Sequence, residues 1–110
     1  MDKKAALEAL AALSQETRLD VFRLLVRSGR DGMLAGEVAE ALNVRQNTLS
    51  ANLSILVSAG LIRNQREGRA IRYFASMDGM QDLLGYLVED CCGGKPELCQ
   101  PLIRQVGCGC

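Results

Sequence analysis

Five cysteines and no histidine give this chain its most distinctive chemistry, and all five thiols fall beyond residue 90: Cys91, Cys92, Cys99, Cys108 and Cys110. Such density in a short terminal stretch exceeds ordinary usage and reads against incidental thiols. An odd count, in a chain expected to work in a reducing compartment, argues for metal or redox work over a disulfide scaffold. Soft sulfur donors without nitrogen partners favour a thiophilic ion. Trivalent arsenic and antimony suit the set, because three thiolates hold them in a pyramid whose lone pair occupies the apex, and no fourth ligand is needed. Gly93 and Gly94 break the chain after the first pair and Pro96 stiffens the turn, which brings Cys99 back within reach. Cys108 and Cys110 form a second, weaker pair. The competing readings are oxidation sensing by the same thiols and capture of cadmium, lead or mercury. Lys95 alone adjoins them as a base while Glu89 and Asp90 oppose deprotonation, which weakens the redox reading. An incoming metalloid displaces the protons itself.

Residues 34–75 carry the pattern on which such a tail would act. Leu34, Val38, Ala41 and Leu42 recur at helical intervals with Glu37 and Glu40 opposite, predicting a short helix. It should end at Asn43, which tolerates a left-handed exit. A second helix should bury Leu49, Leu53 and Leu56, with Ile55 at the margin. It turns Arg45, Gln46, Asn47, Ser50, Ala51 and Asn52 outward or toward its leading end, and Thr48 joins these as a DNA-binding candidate. Such amide, hydroxyl and guanidinium groups suit base edges in a major groove. Gly60 closes the helix. Ile71, Tyr73 and Ala75 then alternate with Arg72 and Phe74, predicting a hairpin that turns at Glu67 and Gly68.

Arg63, Arg66, Arg69 and Arg72 decorate that hairpin. From Asn43 to Arg72, five arginines face the single acid Glu67, a local charge of plus four in a chain of zero formal net charge. Segregation of sign, not total charge, points to nucleic acid. Phe22, Phe74, Tyr73 and Tyr86 are the only aromatics, too few for a single-strand stacking platform, so duplex DNA is the expected partner.

The stretches LAGEVAEALNV, TLSANLSILVSAGLI and EGRAIRYF resemble the ArsR family of small winged helix-turn-helix metal-responsive repressors. The likeness covers roughly the first four-fifths of the chain. It implies a mainly α fold with a small β-hairpin wing, a homodimer, and a first helix carrying Leu7 and Leu10 that pairs two subunits. It also implies an arsenite ligand role for Cys91, Cys92 and Cys99; Cys108 and Cys110, in a glycine-rich stretch, are auxiliary candidates apart from the resemblance. The chain departs from relatives that carry a metal-binding cysteine pair on the first helix of the reading motif, having Leu34, Ala35, Gly36, Glu37 and Val38 there. It lacks the histidines that others place on the last helix. Ala51 and Asn52 stand where a basic residue and a histidine are frequent, and Ala35 where a short polar cap is.

At 110 residues the chain reads as one domain, small enough for pairing to add useful buried area. Leu7, Leu10 and Leu13 line the first helix, with Lys3, Lys4 and Glu8 outside. Ser14 is the expected N-cap of the next, with Glu16 near its positive end and Leu19, Phe22, Leu25 and Val26 buried. Met77, Met80, Leu84 and Leu87 then fall three or four residues apart, and the interval continues to Cys91. That predicts a helix-pairing seam running into the thiols, with Leu83 and Val88 widening the face enough for it to pack on its own core as well. On an intact helix, side chains at Cys91 and Cys92 would point about 100° apart. Ion binding is therefore expected to distort the last turn and respace two reading heads whose half-sites lie about 34 Å apart.

Asp2 and Glu8 interrupt the alanine-leucine run at the start, and no stretch nears the roughly 18 apolar residues of a membrane span. A cytoplasmic protein without a membrane partner is expected. Residues 1–90 read as the DNA-binding and dimerisation domain, and 91–110 as a metalloid-binding tail. No catalytic constellation is visible, with no histidine and no phosphate-cradling glycine loop. The expected function is repression relieved by arsenite or antimonite. A dithiol reductase or metalloid carrier is the competing class; it lacks a CxxC within a strand-helix-strand pattern and leaves the arginines unexplained.

Overall fold

The computed structural model describes residues 1–89 together with 93, 100–102, 104 and 105; all five cysteines lie outside the described residues. Helix α1 (Lys3–Leu13) opens at Asp2, whose Oδ1 accepts from the Ala5 N–H at 2.8 Å. It buries Ala6, Ala9 and Ala12, a stripe small enough to let it lie close against α2 (Glu16–Ser28). Gln15, not Ser14, is the N-cap of α2, its Oε1 accepting from the Arg18 N–H at 2.9 Å. The reason is economy of chain: Ser14 already closes α1, its hydroxyl donating to the Ala11 carbonyl at 2.9 Å. Phe22 and Leu25 are buried as expected, and Val21 is buried with them. Leu19 and Val26 are not; seven residues apart on one flank of α2, they stay exposed.

A two-residue strand, β1 (Met33–Leu34), precedes α3 (Ala35–Leu42) and was not expected, being too short to show a period. It completes a three-stranded sheet of order β1-β3-β2 with β2 (Ile62–Glu67) and β3 (Ala70–Ala75). Met33 pairs with Tyr73 and Leu34 with Arg72, so the sheet grips the start of the reading motif. The hairpin ladder closes on Glu67 and Ala70, which moves the turn to Gly68 and Arg69. Gly68 has φ +63°, as the first position of a primed two-residue turn requires.

Leu34 offers α3 no side-chain cap; Glu37 Oε1 accepts from the Leu34 N–H at 2.8 Å and sets a carboxylate at the helix's positive end. Asn43 ends α3 at φ 53° and ψ 49°, the only non-glycine residue with positive φ among the described residues. Because alanine in that conformation costs about 1 kcal/mol more than glycine, urea titration is expected to find Asn43→Ala less stable than Asn43→Gly by that amount. Equal midpoints would remove the strain from the account.

Helix α4 (Gln46–Ser58) turns into β2 at Gly60. Val21, Leu25, Val38, Leu49, Leu56 and Leu61 are the largest fully buried side chains, so the core lies where α2, α3, α4 and the entrance to β2 converge. Helix α5 (Met77–Leu87) starts at Ser76, whose Oγ accepts from the Gly79 N–H at 3.0 Å. Leu83 joins the core and Met80 packs half-buried against it, while Met77, Leu84 and Leu87 remain exposed. Helix α5 ends at Leu87 with Val88 as its C-cap; the expected continuation of the interval to Cys91 lies outside the described residues. Among the described residues no helix is long and apolar enough to cross a membrane.

Candidate nucleic-acid interface

Two surfaces adjoin at a cavity that Ser50 and Leu53 line from one side and Arg69 and Ile71 from the other. The first is the leading end of α4, where Arg45 is the N-cap residue and Gln46, Asn47, Thr48, Ser50 and Ala51 are exposed. No acid lies in its first turn. The unpaired N–H groups of that turn and the Arg45 guanidinium therefore present positive charge, the condition for meeting a phosphate. Asn47 Oδ1 accepts from the Thr48 N–H at 2.8 Å, leaving its amide NH₂ free to donate.

Asn52 corrects the expectation that it faces DNA. It is 7% exposed, and its Oδ1 accepts from Arg18 Nη1 at 3.0 Å. The physical reason was visible in its spacing: it lies three residues after Leu49 and four before Leu56, on the apolar period of α4 rather than opposite to it. Arg18, its partner, carried no signal of its own in the sequence.

The second surface is the wing, where four arginines do three different things. Arg66 and Arg69 are exposed, and no ion pair holds them among the described residues. Arg63 lies opposite Phe74 in the ladder and sets its guanidinium 4.2 Å above the ring centroid, an arrangement that orders the side chain while leaving it accessible. Arg72 is committed inward. Its Nε donates to Glu67 Oε2 at 2.9 Å and its Nη1 to the Asp31 carbonyl at 3.2 Å, with Glu37 Oε1 at 4.0 Å. The hydrogen bond with Glu67 raises the guanidinium's pKa above its ordinary value. Arg72 thus ties the hairpin to the segment before β1, so unlike its wing neighbours its guanidinium is already engaged by acceptors of its own chain.

Of the residues expected at a subunit interface, Leu7 and Leu10 on α1 and Leu84 and Leu87 on α5 are uncovered. Met80 is not; it is drawn onto the chain's own core, because α5 must bury one side to stay attached. Cys91, Cys92, Cys99, Cys108 and Cys110 are outside the described residues.

A helix-turn-helix whose second helix and adjoining hairpin share one basic face is a winged helix-turn-helix DNA-binding unit. A helix-turn-helix domain model matches residues 13–65. The chain is 34% identical over 77 residues to the transcriptional repressor SdpR of Bacillus subtilis, covering 70% of this chain and 82% of that protein. It is 35% identical over 78 residues to the putative arsenical resistance operon repressor ArsR of Halobacterium salinarum, covering 67% and 60% respectively. An ArsR-like transcriptional regulator from Rhodococcus sp. RHA1 shares 26% identity at a TM-score of 0.69, over 97% of this chain and 96% of that one. The homodimeric winged helix-turn-helix DNA-binding domain of a possible ArsR-family regulator from Mycobacterium bovis shares 27% at 0.61, over 86% and 93%. The chain belongs to the ArsR family of winged helix-turn-helix transcriptional regulators; it is a DNA-binding repressor and not an enzyme.

Proposed function

We propose that two copies of this chain pair through α1 and α5, hold an operator duplex with α4 and the wing, and let it go when trivalent arsenic or antimony binds Cys91, Cys92 and Cys99. One observation carries this reading: the uncovered apolar stripe of α5 ends at Leu87, and Cys91 follows four residues past it. Helix α1 touches α5 and leaves Leu7 and Leu10 uncovered as well. Together the two helices offer apolar surface that a second copy would cover. The homodimeric Mycobacterium bovis relative and the putative arsenical resistance repressor of Halobacterium salinarum support the pairing and the inducer class.

Arsenite arrives as As(OH)₃. Each of three thiols replaces one hydroxide, its proton leaving with that hydroxide as water, so a neutral trithiolate forms at the end of the seam. Helix α5 closes at Leu87, ahead of the thiols, so chelation need not pull directly on its described turns. Chelation instead gathers the segment that follows α5 and strains the pairing seam, which alters the spacing of the two heads. A coupling of about 1–3 kcal/mol is ordinary for such a switch.

In a gel-shift titration on an operator duplex, arsenite is expected to weaken binding at least about tenfold. Cys91→Ser, Cys92→Ser or Cys99→Ser should bind DNA like wild type without arsenite and lose the response to it. Release by cadmium or by oxidant but not by arsenite would replace the inducer; loss of DNA binding in the serine variants would make the thiols structural.

A further inference from the structure

Helices α1, α2 and α4 meet around Arg18, beside a cavity that Glu8, Ala11, Ser54 and Ile55 also line. Arg18, in the first turn of α2, donates from Nε to the Ala12 carbonyl at 2.7 Å and from Nη1 to Asn52 Oδ1 at 3.0 Å. Ala12 lies in the last turn of α1, where carbonyls lack a helical partner. Asn52 sits mid-α4 on its buried side, among Leu49, Leu53 and Leu56. One cation therefore joins the end of the proposed pairing helix to the middle of the helix that presents Arg45, Gln46 and Ser50. Apolar packing resists separation but tolerates sliding, whereas a hydrogen bond prescribes direction as well as distance. A buried asparagine also costs stability unless partnered, so the site holds one arrangement in preference to its neighbours.

We propose that Arg18 and Asn52 are positioning residues for DNA reading: touching neither base nor phosphate, they fix the orientation of α4 and with it the preference for operator over other duplex. The inference rests on the DNA-binding assignment; pairing through α1 is needed only to pass that orientation to a second subunit. Bidentate base contacts fail when a recognition helix shifts by a fraction of an ångström, while phosphate contacts made by long side chains follow the shift. The signature of the pair is thus lost discrimination with non-specific binding retained.

The test uses the full chain and two duplexes of equal length: the sequence that wild type selects from a random pool, and its scramble. Arg18→Met and Asn52→Leu are each expected to reduce the affinity ratio about tenfold. The double variant should be no worse than either single, since the two act as a unit. The salt dependence of binding to the scramble should not change. Asn52→Asp keeps the acceptor for Arg18 and should hold the ratio within about threefold of wild type; an asparagine that faced DNA would instead be repelled once charged. Additive losses in the double variant, a shallower salt slope for Arg18→Met, or abolished binding by Asn52→Asp would each overturn the proposal. If either apolar variant fails to fold, Asn52→Asp against wild type decides. Wild type that selects no preferred sequence would overturn the DNA-reading assignment itself rather than the role of the pair.

Discussion

Gly79→Ala is expected to lower the melting temperature by about 10 °C, a large effect for one added methyl group. Gly79 is in the first turn of α5, and a Cβ there would fall inside the van der Waals envelope of the Gly60 carbonyl oxygen and 3.0 Å from the Gly60 carbonyl carbon. Both are backbone atoms, so no side chain can swing aside. Gly60 is itself fixed at φ +76°, and next to it the Leu61 carbonyl accepts from the Ser76 N–H at 2.8 Å. Either α5 or the turn out of α4 must move. Overpacking of this kind costs about 1–3 kcal/mol, and each kcal/mol is worth roughly 4–8 °C in a domain of this size. Gly36→Ala is the control. That glycine is exposed within α3 and a Cβ would meet only Gln46 Nε2 at 3.8 Å, so the change should stabilise by about 0.5–1 kcal/mol. Thermal melts followed by circular dichroism check both, and a Gly79→Ala protein that melts with wild type would show that the two backbones are not locked together. The contact joins the start of α5 directly to the turn out of α4.

The paired substitution Arg66→Ala with Arg69→Ala is expected to weaken duplex binding about a hundredfold at about 0.1 M salt. It should also flatten the slope of log K against log salt by about 1.8, close to one released counterion per arginine. Arg72→Ala should differ in kind: its charge is answered by Glu67 and Glu37, so the slope should hold while the wing loosens. Anisotropy titrations at several salt concentrations separate the cases. Should Arg72→Ala flatten the slope by a full ion, its clamp must open on DNA; should the double variant keep the wild-type slope, those arginines do not meet phosphate.

The reading motif was legible because its signals are local. Apolar spacing marked α3 and α4, Asn43 marked the exit between them, and alternation marked the wing. What escaped depended on partners distant in sequence. Strand β1 exists only because Tyr73 and Arg72 pair with it, and two residues carry no period. Arg72 looks like its wing neighbours until Asp31 and Glu37 are brought beside it. Ser14 and Gln15 can both cap; which one does so is decided by where α1 stops. Asn52 was a different failure, since its spacing placed it with the leucines and its polarity argued it outward. Spacing prevailed because Arg18 lies across from it to satisfy the amide oxygen.

Strand β2 pairs on one side only, and residues 63–67 along it are exposed. An open strand border is a template on which further chains can add, leading to uncontrolled assembly. In a molecule of zero formal net charge, little long-range repulsion keeps copies apart. Arg63 and Arg66 on that border supply a local guard, since an incoming identical strand would bring like charges against them. The cations proposed to meet DNA when the repressor is seated would thus keep it from sticking to itself when it is not.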